Sequence, residues 1–262
     1  MNKYKLYQVD AFTEKIFGGN PAAVCPLNKW LDDNLLQNIA MENNLAETAF
    51  YVKRDNEYEI RWFTPNIEVD LCGHATLAAA YVLFYNENHL ENTIVFHSPR
   101  SGKLIVNKIA DRLILDFPID KYCRISISNE IESCFDRKPI EACKGKTDYM
   151  LIYEKETDIT DIKPQFENIT KLKARGVIIT AKGETVDFVS RFFAPQSGVI
   201  EDPVTGSAHT TLTPYWAEKL NKTELSAIQL SNRKGYLQCR ILGERVEISG
   251  HAKLYFKGEI FI

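Results

Sequence analysis

The sequence predicts a mixed α/β (α+β) protein made of two like halves, each a set of strands around one buried helix. Three observations carry this: an internal repeat, strand-like runs in the same order in both halves, and a helical segment apolar on nearly every side. Repeats come first, because a missed repeat misreads the whole fold. Arg61-Trp62-Phe63-Thr64-Pro65 is followed by Gly73-His74-Ala75, and Arg191-Phe192-Phe193-Ala194-Pro195 by Gly206-Ser207-Ala208. Ser98-Pro99-Arg100-Ser101-Gly102-Lys103-Leu104 finds its echo in Ser231-Asn232-Arg233-Lys234-Gly235-Tyr236-Leu237, and Arg112-Leu113-Ile114-Leu115 in Arg245-Val246-Glu247-Ile248. Gly73 to Gly206, Ser98 to Ser231 and Arg112 to Arg245 are each 133 positions apart in a chain of 262. The Arg-aromatic-Phe-x-Pro landmark alone differs, at 130, which a three-residue insertion in the second loop explains. A constant offset near half the chain length places the two halves at 1–118 and 119–262, joined around residues 118–126.

The elements follow in order. Strand-like runs cover Tyr4 to Phe12, Thr48 to Val52 and Tyr58 to Phe63 in half one, and Gly176 to Thr180 and Phe188 to Phe193 in half two. More strands follow each helix: Thr93 to His97, Gly102 to Asn107 and Arg112 to Phe117, then Ile228 to Leu230, Gly235 to Leu242 and Arg245 to Ser249. An earlier helix starts at Leu31-Asp32-Asp33, with Leu35, Leu36, Ile39 and Ala40 as its apolar stripe. Ala75 to Phe84 is apolar nearly all round, which requires burial on every side and suggests a sheet curled about it. Its counterpart, Ala208 to Leu220, is more polar on one side, and helices on an open sheet stay possible.

Composition removes several function classes. With 45% apolar and 26% charged residues the chain is ordinary and globular, and a formal net charge of -3 without Lys/Arg clusters gives no nucleic-acid signature. No apolar run approaches the ~18–20 residues that cross a bilayer, and no signal core precedes the first strand, so a cytoplasmic location is expected. The six cysteines are scattered with no C-x-x-C pair, against a zinc ribbon or a disulfide framework. Gly145-Lys146-Thr147 has Ile140 where a phosphate loop needs its upstream glycine, and no dinucleotide fingerprint or His-Glu-x-x-His is present. Neither an organic cofactor nor a catalytic metal has a visible seat.

Two like domains invite a ligand cleft between them. The loops Asp70-Leu71-Cys72-Gly73-His74 and Asp202-Pro203-Val204-Thr205-Gly206-Ser207 each run into a helix N-terminus, where free N–H groups and the helix dipole favour a carboxylate. The plainer alternative is two well-capped buried helices. Read locally, Glu47 is a carboxylate at a strand start, His74 and Ser207 are helix-start residues, and Asp202 before Pro203 is a turn residue.

Five segments, in order along nearly the whole chain, resemble the successive signatures of the PhzF-like (phenazine-biosynthesis) isomerases. They are Phe17-Gly18-Gly19-Asn20-Pro21-Ala22, Asn44-Leu45-Ala46-Glu47-Thr48-Ala49-Phe50, Phe63-Thr64-Pro65, Asp70-Leu71-Cys72-Gly73-His74-Ala75-Thr76 and Asp202-Pro203-Val204-Thr205-Gly206-Ser207-Ala208-His209. The resemblance implies a diaminopimelate-epimerase-like fold, two pseudo-symmetric lobes each with a curled, mostly antiparallel sheet around a central helix. It also implies a homodimer, no cofactor, and a small anionic carboxylate substrate bound between the lobes. By motif, Glu47 is the acid/base residue that shuttles a proton, with His74 and Asp202 as catalytic partners. Cys72, Gly73, Gly206 and Ser207 are then substrate-binding.

A carboxyl can both take and deliver a proton if burial raises its pKa, and Glu47 is followed by apolar Ala49-Phe50. The related diaminopimelate epimerases and proline racemases use two opposed cysteines. Here Cys72 stands at one position, but the repeat puts Thr205 at the other, and Thr is a poor proton acceptor near neutral pH. Cys72 reads as a small buried or site-lining residue. His209 reads as packing behind the site, and His89, His97 and His251 as non-functional. The expected activity is a double-bond shift in a small carboxylic acid; epimerisation and a non-catalytic binding protein are the alternatives. Ser231-Asn232-Arg233-Lys234-Gly235 departs from the family pattern by one replaced glycine, and Lys121 to Arg175 carries no usable motif.

Overall fold

The computed structural model describes Met1–Ile262, which form two compact units: Met1–Asp116 with Ser249–Ile262, and Phe117–Ile248. Ala252–Phe261, at the C-terminal end of the chain, pairs antiparallel with Lys3–Ala11 within the first unit.

In the first unit Lys3–Ala11 also pairs antiparallel with Asn20–Leu27, which runs parallel to Glu47–Arg54. Glu47–Arg54 forms a hairpin with Glu57–Phe63, which lies parallel to Thr93–Ser98; that strand pairs antiparallel with Gly102–Ile109. The helix Gly73–Asn86 packs on Lys3–Ala11, Asn20–Leu27, Glu47–Arg54 and Ala252–Phe261. His74 to Ala80 and Val82 to Phe84 are all buried, so the all-round apolar pattern marks a helix enclosed by sheet.

The second unit repeats the ladder. Asp148–Ile152 runs parallel to Gly176–Lys182, which forms a hairpin with Phe188–Phe193. Phe188–Phe193 is parallel to Glu224–Gln229, and Glu224–Gln229 is antiparallel to Gly235–Leu242. Its helix, Gly206–Leu220, packs on Glu224–Gln229 and Gly235–Leu242. Pro214 sits inside that helix and cannot donate to the Thr210 carbonyl. Asp120 N–H takes the place, donating to Thr210 O at 3.2 Å, while the Asp120 carboxylate accepts from Thr211 Oγ1 at 2.8 Å. Gly145-Lys146-Thr147 is the turn joining Glu141–Lys144 to Asp148–Ile152, a hairpin rather than a strand-to-helix phosphate loop. The motif-free stretch supplies core: Ile131, Phe135, Tyr153, Ile159 and Ile169 pack with Val177, Ile179 and Phe193.

The repeated Arg-aromatic-Phe motif has a structural role. Arg61 donates from Nε and Nη2 to both oxygens of Glu68 and lies over the Phe63 ring at 5.1 Å. Arg191 grips Glu201 in the same bidentate way and lies over Phe193 at 4.9 Å. Each clamp fixes the chain just ahead of a site loop. Glu68 and Glu201 keep the offset of 133, so the three inserted residues fall between Arg191 and Glu201, where Pro195–Ser197 forms a short 3-10 turn.

Candidate active site

In the first unit the site begins where Glu47–Arg54 starts and Gly73–Asn86 starts. Glu47 is the first strand residue, paired in register with Ala22. Cys72 is the helix N-cap and contributes no side-chain cap, which leaves the first-turn N–H groups of the helix without intrahelical acceptors. His74 Nε2 lies 3.0 Å from Glu47 Oε2, and the two side chains are 5% and 17% exposed. Oε2 itself is buried and makes no well-formed hydrogen bond, while the Glu47 side chain as a whole is less enclosed than Ala49 and Phe50, which are wholly buried. The Asn20 amide lies 3.2 Å from the other ring nitrogen, His74 Nδ1; with the amide turned so that its oxygen accepts the Nδ1 proton, it holds a charged ring with Nε2 toward the carboxylate.

Electrostatics complete the arrangement. Burial works against a charged His74, while its interactions with Cys72 and then with Glu47 work for it, and the balance raises its pKa well above the usual imidazole range. The Cys72 thiol is pushed up to about 11 by burial and then by the Glu47 charge, so near neutral pH it is a neutral thiol. His74 Nε2 and Glu47 Oε2 form the ion pair of the site. Cys72 Sγ sits 3.5 Å from His74 Nδ1, a site-lining position.

In the second unit Thr205 is the N-cap of Gly206–Leu220, again without a side-chain cap. Its hydroxyl donates instead to Asp202 Oδ2 at 2.5 Å, and its N–H donates to Gln229 Oε1 at 2.8 Å. Gln229 Nε2 donates to the Asp202 carbonyl at 2.7 Å, and Ser231 Oγ to the Pro203 carbonyl at 2.8 Å. The loop Asp202 to Ser207 is thus braced from the strand ending at Gln229. Gly206 is buried as the first helix residue, and Ser207 Oγ accepts from Arg175 Nη2 at 3.0 Å. Arg175 is bound by both oxygens of Asp148, a carboxylate only 2% exposed. His209 lies behind the loop, fully buried, with Nδ1 2.9 Å from Thr205 O, and burial pushes its pKa down to about 4. His97, His251 and His89 make local contacts with Glu57, with Glu14 and Asp111, and with Tyr58.

Glu47, Cys72, Gly73 and His74 come together in the first unit; Asp202, Gly206 and Ser207 come together in the second. Sequence reasoning missed Arg175. A usable signal existed in the repeat: Thr48 opposes Phe63 and Val177 opposes Phe193, so Gly176 is the counterpart of Glu47 and Arg175 precedes it. Gly176 has room for no side chain, since a Cβ would lie 2.4 Å from the Phe192 ring. The second half therefore cannot carry a matching carboxylate, and an arginine beside that position touches Ser207, the counterpart of His74.

The family model of the phenazine biosynthesis-like proteins matches residues 9–258. An uncharacterized isomerase of Pseudomonas aeruginosa is 49% identical over 257 residues, covering 98% of each chain. The crystal structure of a phenazine biosynthesis protein of the PhzF family from Enterococcus faecalis superposes with a TM-score of 0.97 at 49% identity, covering 100% of both chains. A hydroxyproline epimerase from Agrobacterium vitis, 9% identical with a TM-score of 0.61 over 98% of this chain and 92% of its own, shares the fold alone. Fold, site and relatives define an isomerase on the epimerase-like α/β scaffold. The chain belongs to the PhzF-type phenazine biosynthesis-like family.

Proposed function

We propose that this isomerase needs no cofactor and moves a proton within a small unsaturated or cyclic carboxylic acid, with Glu47 as the acid/base group. The observation that carries the reading is the buried Glu47 Oε2, 3.0 Å from His74 and without a well-formed hydrogen bond of its own. Such an oxygen keeps a lone pair for a substrate C–H proton. His74, paired with that carboxylate and with its pKa raised, orients it and hydrogen-bonds the charge that develops when the substrate loses its proton. Glu47 then delivers the proton to a different carbon, and the double bond moves. In the first unit, the first-turn N–H groups at Gly73 suit a substrate carboxylate. In the second unit, Ser207 with Arg175 offers a polar and positive pair for an anionic group, and Asp202, fixed by Thr205, is a candidate partner in proton transfer.

Epimerisation would require a second base. Cys72 as a neutral thiol and Thr205 as a donor to Asp202 both weigh against a two-thiol route. The test is deuterium uptake in deuterium oxide, followed by NMR, across a panel of cyclic and unsaturated carboxylic acids. Uptake with double-bond migration supports the isomerase reading. Uptake with stereochemical inversion favours an epimerase with Asp202 as second base, and binding without uptake favours a binding protein.

A further inference from the structure

We propose that Glu47, Cys72 and His74 also form a three-ligand site for zinc or another thiophilic divalent cation, and that the bound ion blocks the acid/base carboxylate. The three residues offer an oxygen, a sulfur and a nitrogen, the donor set zinc prefers, and one atom from each lies within 4.8 Å of the others. Tetrahedral zinc with ordinary bond lengths needs donor–donor edges of roughly 3.3–3.6 Å. Here Nε2 to Oε2 is 3.0 Å, Sγ to Nε2 is 3.9 Å and all three donors lie within 4.8 Å of one another, so side-chain adjustment on the order of an ångström reaches that geometry. The part of the Glu47 side chain that is exposed gives an ion its way in.

Two features of the surroundings support the site. The Asn20 amide 3.2 Å from His74 Nδ1 holds the ring by its other nitrogen, as outer partners of ligating histidines do; turned over, its oxygen accepts the Nδ1 proton. The helix start at Cys72 disfavours a bare cation but favours a thiolate, and a thiolate with a carboxylate neutralises both charges of the ion. On binding, the thiol gives its proton and a charged His74 its Nε2 proton to solvent; nothing is oxidised or reduced. No sequence spacing announces the site, because one ligand starts a strand and two start a helix.

The binding stands on this geometry alone. The inhibition rests on the reading of Glu47 as proton carrier. Metal-free protein is titrated with cobalt(II), whose thiolate complexes absorb by charge transfer. A charge-transfer band saturating at about one cobalt per chain, displaced by zinc and lost in Cys72→Ser, is expected. Cys123→Ser, which removes the exposed cysteine, should keep the band. His74→Gln and Glu47→Gln should each weaken cobalt binding by about tenfold or more. No band with the wild-type protein, or a band lost in Cys123→Ser and kept in Cys72→Ser, overturns the site. Zinc that binds at Cys72 yet leaves proton exchange untouched keeps the site and overturns the role of Glu47.

Discussion

At the scale of single residues, two buried histidines are set in opposite directions. His74 is raised, so it favours the folded state below the ordinary imidazole value near 6.5, and that contribution fades as pH rises through its raised value. His209 is lowered to about 4, so its contribution is full above about 6.5 and is lost as pH falls toward 4. Urea denaturation should show up to about 3 kcal/mol of stability lost from His209 between those pH values. His209→Asn should flatten this part of the profile; an unchanged slope would contradict it. Arg175 supports a second prediction. Arg175→Met strands the buried Asp148 carboxylate and should cost about 3 kcal/mol, whereas Asp148→Asn with Arg175→Met should recover most of it. Urea midpoints of the two single variants and the double variant close this cycle. Glu47, Cys72, His74, Asp202 and Ser207 could be named as candidates because each sits in a segment that resembles a family signature. Arg175 was not, because it is one arginine in a stretch whose pattern reflects packing, and its role appears only when the halves are superimposed in register.

At the scale of elements, the sequence predicted strand runs in the same order around one helix in each half, while Asn20–Leu27, Glu68–Val69, Cys123–Ile125, Glu141–Lys144, Asp148–Ile152 and Ala252–Phe261 were not expected and Glu224–Gln229 was expected only from Ile228. Asn20–Leu27 contains Pro21 and Pro26 and buries Ala22 to Cys25 without alternation, which removes the period-two signal of a half-exposed strand. Glu224–Gln229 begins earlier than Ile228 because Glu224 and Ser226 are polar on its outer face. The glycines at equivalent places in the two halves serve different ends. Gly102 has φ +70 with open space around it, so Gly102→Ala should cost about 1 kcal/mol of stability and leave catalysis alone. At Gly235 a Cβ would meet Val204 at 2.1 Å, inside the loop that carries Asp202 and Ser207. Gly235→Ala should therefore lower turnover as well as stability, and steady-state kinetics beside a thermal melt separates the two. Lys234, at φ 51, occupies a left-handed position suited to the glycine this segment lacks.

At the scale of the whole molecule, the repeat pointed to two like halves, and the two units share one order of strand pairings, but the return of the C-terminus lies outside that repeat. Ala252–Phe261 pairs with Lys3–Ala11, residues at opposite ends of the chain, and no local pattern encodes that partnership. Removing residues 252–262 should leave the Lys3–Ala11 edge open and abolish cooperative unfolding of the first unit, as read by circular dichroism and solubility. No helix is long and apolar enough to cross a membrane. The central claim is that this scaffold positions one carboxylate, Glu47, to carry the proton. The most direct measurement compares deuterium incorporation into a turned-over carboxylic acid by the wild-type protein and by Glu47→Gln. A fall of about 100-fold or more, with substrate binding retained, is the predicted result; unchanged incorporation by Glu47→Gln would contradict the account.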